Sequence, residues 1–103
     1  MKFGLKEETI KKITTIFAKH SQVEEVIIYG SRAKGNFKNG SDIDLTLKGP
    51  NLNLTMINKI SSEIDDLLLP YSFDISIFEQ IDSQDLIDHI KRRGVVFYSL
   101  KKN

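Results

Sequence analysis

Three aspartates and a glycine–serine pair carry most of the chemical information in this sequence. Asp42 and Asp44 flank the apolar Ile43, and Asp74 sits in the alternating segment Tyr71-Ser72-Phe73-Asp74-Ile75-Ser76-Ile77. In an extended strand residues i and i+2 share a face, so Asp42 and Asp44 project the same way with Cα atoms roughly 6 to 7 Å apart. Neighbouring carboxylates repel, and partial burial raises the cost unless a cation offsets it. A divalent ion turns that repulsion into attraction, and oxygen ligands without cysteine or histidine favour Mg²⁺ or Mn²⁺ over zinc. If the strand of Asp74 lies beside that of Asp42 and Asp44, three carboxylates can hold two ions about 3.5–4 Å apart. Such a pair serves phosphoryl or nucleotidyl transfer.

Gly30-Ser31 ends a β-branched run upstream of these acids. Glycine lets the backbone approach a ligand closely, and the turn or helix start that follows presents N–H groups toward an anion. Ser31 adds a hydroxyl and Arg32 a phosphate clamp. The candidate site therefore comprises Asp42, Asp44 and Asp74 as metal ligands and catalytic groups, with Gly30, Ser31 and Arg32 holding the nucleotide. An isolated Asp-x-Asp is most often a solvated strand edge, and a lone glycine an ordinary strand end. The weight lies in their combination with a third aspartate in the middle of a later strand.

The elements that must position these residues follow from periodicity. Ile10, Ile13, Ile16 and Phe17 recur at helical spacing within residues 6 to 20, and Val23 to Tyr29 reads as a buried strand ending at Gly30. Residues 31 to 41 form a turn-rich connection with at most one short helix. Residues 42 to 48 alternate as a strand. Asn53 caps a helix whose stripe runs through Met56 or Ile57, Ile60, Ile64 and Leu67 or Leu68, closed by Pro70. After the Asp74 strand, Asp82 or Ser83 caps a last helix, Gly94 ends it, and Val95 to Tyr98 makes a short final strand. The order predicts an α/β fold, a mixed sheet of three to four strands flanked by helices.

Composition narrows the partners. A length of 103 residues fits one domain, residues 1–103, with little room for a deep cavity. With 15 basic and 14 acidic residues and a net charge of +1, there is no global field toward a phosphate polymer, so direct nucleic-acid binding is not expected. The basic group Lys91, Arg92 and Arg93, with Lys101 and Lys102, reads as a solvated helix end and tail. His20 and His89 read as surface or helix-end residues, and Glu63, Asp65 and Asp66 as part of a solvated face. The lack of cysteine is compatible with a reducing cytoplasm, and no apolar signal core or membrane-length run is present. A cytoplasmic protein is expected.

The spacing then acquires a further meaning. Gly30-Ser31, ten intervening residues and Asp42-Ile43-Asp44 resemble the GS-x10-DxD signature of the nucleotidyltransferase superfamily that includes DNA polymerase beta. The strings Gly-Ser-Arg-Ala-Lys-Gly at 30 to 35 and Ser-Asp-Ile-Asp-Leu at 41 to 45 are similar to those of the minimal nucleotidyltransferases (MNT), often antitoxins paired with a helical HEPN toxin. The resemblance covers nearly the whole chain. It implies a nucleotidyltransferase fold in which the Ser31 position contacts the triphosphate and the Asp42 and Asp44 positions bind two Mg²⁺. The Asp74 position binds the catalytic metal and assists the nucleophile. Lys34 stands where some relatives have arginine. The resemblance further implies an ATP-using protein adenylyltransferase that moves AMP onto a hydroxyl, expected to be a tyrosine, of a HEPN partner. Relatives that modify small molecules carry an additional helical domain, so the absence of one here is read as favouring a protein acceptor. Two other readings stay open. One is a non-catalytic module that covers its partner, and the other a small-molecule enzyme completed by a helical subunit or by its own homodimer.

Overall fold

A computed structural model describes residues 1–38 and 40–100. Helix α1 spans Glu7–Ala18, strand β1 Glu25–Tyr29, the short helix α2 Ser31–Lys34 and strand β2 Ile43–Lys48. Helix α3 covers Leu54–Asp65, strand β3 Phe73–Ile77, helix α4 Gln84–Arg93 and strand β4 Val95–Ser99, with a 3-10 turn at Phe78–Gln80. The strands form one sheet in the order β3-β2-β1-β4. β1 runs antiparallel to both its neighbours, whereas β2 and β3 are parallel. A parallel pair needs a crossover, and α3 supplies it. This is the mixed α/β sheet that the alternation predicts.

One face of the sheet is dry. Val26, Ile28, Ile43, Leu45 and Leu47 pack with Ile13 and Phe17 of α1 and Ile57, Ile60 and Ile64 of α3. Each such side chain contributes roughly 1.5–3 kcal/mol over its exposed state. That burial also sets the register, because a one-residue slip would turn the apolar set outward. The other face is covered only in part: Ile27 and Tyr29 meet Ile90 of α4, with Phe78, Ile81 and Leu86 around them. Asp44, Thr46, Asp74 and Ser76 fall on this second face by strict alternation, so packing on one side aims the polar residues on the other.

Caps agree with the sequence. Asn53 accepts from the Met56 N–H at the start of α3, and Ser83 accepts from the Leu86 N–H at the start of α4. Helix α3, however, stops at Asp65 and not at Pro70. Two acids at a helix C-terminus oppose the macrodipole, and the chain tightens into i,i+3 bonds from Leu67 N to Ile64 O and from Leu68 N to Asp65 O. Leu68 then leaves the helix at φ 55° and is 88% exposed, so that of the two leucines expected to end the stripe it is Leu67 that packs against the core. Glu63 and His20 also depart from a purely solvated reading: His20 Nε2 and Glu63 Oε1 lie 2.8 Å apart and join the end of α1 to α3. No helix among the described residues is long and apolar enough to cross a membrane.

Candidate active site

The parallel ladder pairs Asp44 of β2 directly with Asp74 of β3. On its other side Asp44 pairs with Tyr29, the residue before Gly30. Asp42 stands one residue ahead of β2, and the Ile43 N–H donates to the Ser72 carbonyl at 2.9 Å, which fastens this segment to the start of β3. Asp44 and Asp74 thus lie on adjoining strands at one end of the sheet, and Asp42 lies on the segment that leads into β2. Asp42 and Asp74 are exposed, and Asp44 is half-buried between them.

Gly30 closes the arrangement from the β1 side. Its φ of 79° and ψ of −155° lie in a region that only glycine adopts readily. A Cβ there would stand 2.5 Å from Asp44 Oδ2, so the carboxylate occupies the space that a side chain would need. The Gly30–Ser31 turn and the Asp44 carboxylate are therefore in direct apposition, with Ser31 opening α2.

The electrostatics carry the mark of crowded acids. Burial pushes the Asp44 carboxyl above its ordinary value, and the charges of Asp74 and Asp42 raise it further. Burial likewise raises the Tyr29 phenol, a hydrogen bond with Ser76 opposes the rise, and the charges of Asp74 and Asp44 add to it. Tyr29 and the Ser76–Thr46 pair are neighbours that sequence reasoning left out of the site. The Ser76 hydroxyl donates to Thr46 Oγ1 at 3.0 Å, next to the carboxylates on both strands. Their i+2 spacing from Asp44 and Asp74 was the available signal.

The donor set fits a hard divalent cation, since it consists of carboxylate oxygens whose mutual repulsion such an ion would relieve. Among the described residues no three acidic, histidine or cysteine side chains are gathered into a ligand cage. Asp42, Asp44 and Asp74 share a face and a field without enclosing a point.

Arg32 is placed differently from the sequence expectation. Its side chain is turned into the protein, 3% exposed, and its guanidinium donates to the carbonyls of Ser41 and Phe3. Occupied in this way, it is not positioned to clamp a phosphate. The structure instead brings Lys34 of α2 beside Arg92 and Arg93 at the end of α4. With Ala33, Gly94 and Val95 they line an open groove of about 490 Å³. None of the three cations has an ion-pair partner among the described residues. Because β4 follows β1 in the sheet order, the groove lies on the side of the Gly30–Ser31 turn away from Asp44 and Asp74. Sequence alone kept these cations apart because 57 residues separate Lys34 from the helix end. Lys101 and Lys102 lie outside the described residues.

Residues 11–103 match the family model of the polymerase beta nucleotidyltransferases, and the chain belongs to that family. A Methanocaldococcus jannaschii protein named as a candidate protein adenylyltransferase is 32% identical over 79 residues, covering 75% of this chain and 57% of the relative. The chain thus spans little more than half the length of that protein. Among solved structures, a chain of a toxin–antitoxin complex with AMP-PNP superposes with a TM-score of 0.71 at 17% identity, over 94% of this chain and 76% of the other. A chain of a complex between a tri-AMPylated Shewanella oneidensis HEPN toxin and its MNT antitoxin gives 0.68 at 13% identity, over 92% and 73% of the two chains. These two likenesses show a common fold.

Proposed function

We propose that this protein is a Mg²⁺-dependent adenylyltransferase that moves AMP from ATP to a tyrosine hydroxyl of a helical HEPN toxin and thereby acts as a cytoplasmic antitoxin. The observation that carries the chemistry is the direct pairing of Asp44 with Asp74 beside the Gly30 backbone. Asp42, Asp44 and Asp74 are the residues that would hold Mg²⁺, or Mn²⁺ in its place. When bound, two such ions lower the pKa of an attacking hydroxyl and neutralise charge on a leaving pyrophosphate.

The chain's own groups divide the remaining work. Gly30 and Ser31 receive the triphosphate, the glycine by giving the backbone close access and the serine through its hydroxyl. Lys34, Arg92 and Arg93 replace Arg32 as the cations that meet its charge. A carboxylate oxygen of Asp74, exposed on β3, takes the proton of the acceptor hydroxyl as the new O–P bond forms and the bond to pyrophosphate breaks. Exposure of Asp42 and Asp74 suits an acceptor presented by a macromolecule. The adenylyltransferase name of the relative and the AMPylated toxin in a complex of like fold support the choice of AMP and of the partner.

Incubating the protein with its HEPN partner, labelled ATP and Mg²⁺ tests the proposal. Label should appear on a partner tyrosine, and Asp42→Asn with Asp44→Asn should abolish it without unfolding the chain. Label that never reaches the partner would overturn the transfer. Neutralisation that survives the double substitution would identify a module acting by coverage alone.

A further inference from the structure

Arg32 follows the Gly30–Ser31 turn immediately, yet it is among the most buried polar residues, 3% exposed. A buried cation is costly unless its donors and faces are occupied. Here Nε donates to the Ser41 carbonyl at 3.0 Å and Nη1 to the Phe3 carbonyl at 2.9 Å. The guanidinium also lies 5.1 Å from the centroid of the Phe37 ring and 5.0 Å from that of Tyr71. Two carbonyls and two aromatic faces thus take the place of a carboxylate partner.

The positions of those four contacts matter. Ser41 immediately precedes Asp42, and Tyr71 lies three residues before Asp74. Phe37 belongs to the same connection as Ser41, where the Ser41 N–H donates to the Lys38 carbonyl and the Lys38 N–H to Ser41 Oγ. Phe3 sits in the N-terminal turn, closed by the reciprocal Lys2–Leu5 main-chain bonds. At Gly4, with φ of 74°, a Cβ would run into the Phe37 ring and come within 2.9 Å of Arg32 Nη1. The backbone there is packed directly over the guanidinium.

We infer that Arg32 is a positioning residue, a strut rooted at the Gly30–Ser31 turn that sets the approach to Asp42 and the approach to Asp74 relative to one another. Its functional consequence rests on the proposed metal-dependent transfer, while its structural consequence does not. Asp42 is exposed and lies outside β2, so its place depends on the segment before it. Without the bond to the Ser41 carbonyl that segment regains conformational entropy, which any bound ion would then have to offset. Lysine keeps the charge but not the planar fork that reaches two carbonyls while stacking between two rings.

The test compares wild type, Arg32→Ala, Arg32→Lys and, as a control for general destabilisation, His20→Ala, which removes the α1–α3 pair remote from the carboxylates. Mn²⁺ affinity is read by electron paramagnetic resonance, and amide hydrogen exchange at Ser41 and Asp42 by NMR. Mn²⁺ affinity should fall about 10- to 100-fold in Arg32→Ala and less in Arg32→Lys. Both variants should show faster exchange at Ser41 and Asp42, and His20→Ala should change neither quantity. Unchanged Mn²⁺ affinity and exchange in the Arg32 variants, or equal changes in His20→Ala, would overturn the inference. If Arg32→Ala does not fold, Arg32→Lys and Tyr71→Leu carry the same comparison. A wild-type protein that binds no Mn²⁺ would sink the metal-dependent transfer. The exchange data would then still decide the role of Arg32, with faster exchange in Arg32→Lys supporting it and unchanged exchange refuting it.

Discussion

Asp44 and Asp74 face each other across a parallel ladder, and Asp44 also lies against the Gly30 backbone. Two acids in register are a local cost to the folded chain, and that cost can be measured.

Asp44 has its carboxyl raised above the ordinary value of 3.8, first by burial and then by Asp74 and Asp42. For an acid raised on folding, stability falls as pH climbs from the unfolded value through the folded one, and the deficit persists at higher pH. Metal-free Asp44→Asn should therefore melt at a higher temperature than wild type at neutral pH, with the gap closing below about pH 4. Millimolar Mg²⁺ should raise the wild-type midpoint and leave the variant unmoved. Thermal melts in EDTA and in Mg²⁺ across pH check this, and a variant less stable at neutral pH would contradict it.

Gly30→Ala should lose about 1–3 kcal/mol of stability from its backbone conformation alone. It should also displace the Asp44 carboxylate, because the new methyl needs the same space. Urea denaturation measures the first effect, and loss of Mg²⁺-dependent stabilisation in the folded variant reports the second. A variant as stable as wild type would show that the turn tolerates a side chain.

The groove lined by Lys34, Arg92 and Arg93 leads to a charge-specific expectation. Alanine at all three should weaken Mg·ATP binding on the order of tenfold or more, about 1.4 kcal/mol per decade, while AMP binds as before. The salt dependence of ATP affinity should flatten as well, since screened charges have been removed. Calorimetric titration of ATP, AMP and pyrophosphate distinguishes this from general damage. Equal losses for ATP and AMP would remove the groove from triphosphate binding.

Glu63 is held below its ordinary carboxyl value of 4.5, chiefly by its hydrogen bond with His20. An acid lowered on folding contributes stability that is present above the unfolded value and lost as pH falls through the folded one. Glu63→Gln should therefore be less stable than wild type near pH 5, and the difference should disappear in strong acid. Melting curves between pH 2 and 6 check the sign.

The parts of this fold that were legible in the sequence are those that rest on local rules. Alternation placed Asp44 and Asp74 on strands, although β2 begins at Ile43 and leaves Asp42 just ahead of it, and Asn53 and Ser83 cap the helices they precede. The sequence left the adjacency of β2 and β3 as a condition, since nothing in either strand names its neighbour; the α3 crossover supplies it. Arg32 could not be read correctly because its four contacts come from Phe3, Phe37, Ser41 and Tyr71, segments joined only by the tertiary fold. For the same reason nothing in the sequence joined Lys34, which stands where some relatives have arginine, to Arg92 and Arg93, which read as a solvated helix end. The end of α3 was missed because the acids at Asp65 and Asp66 halt the helix before its proline is reached.

The crossover through α3 also bears on when the site comes into existence. β1 and β2 are joined by a short connection that brings Gly30 to Asp44, whereas Asp74 reaches its place beside Asp44 through the longer α3 crossover. Non-local pairing of this kind is slow to form. A chain halted before that step would lack the third carboxylate, however much of its secondary structure was in place. Divalent-ion affinity should consequently appear in refolding as a late event, and would report completion of the fold more sensitively than helix content does.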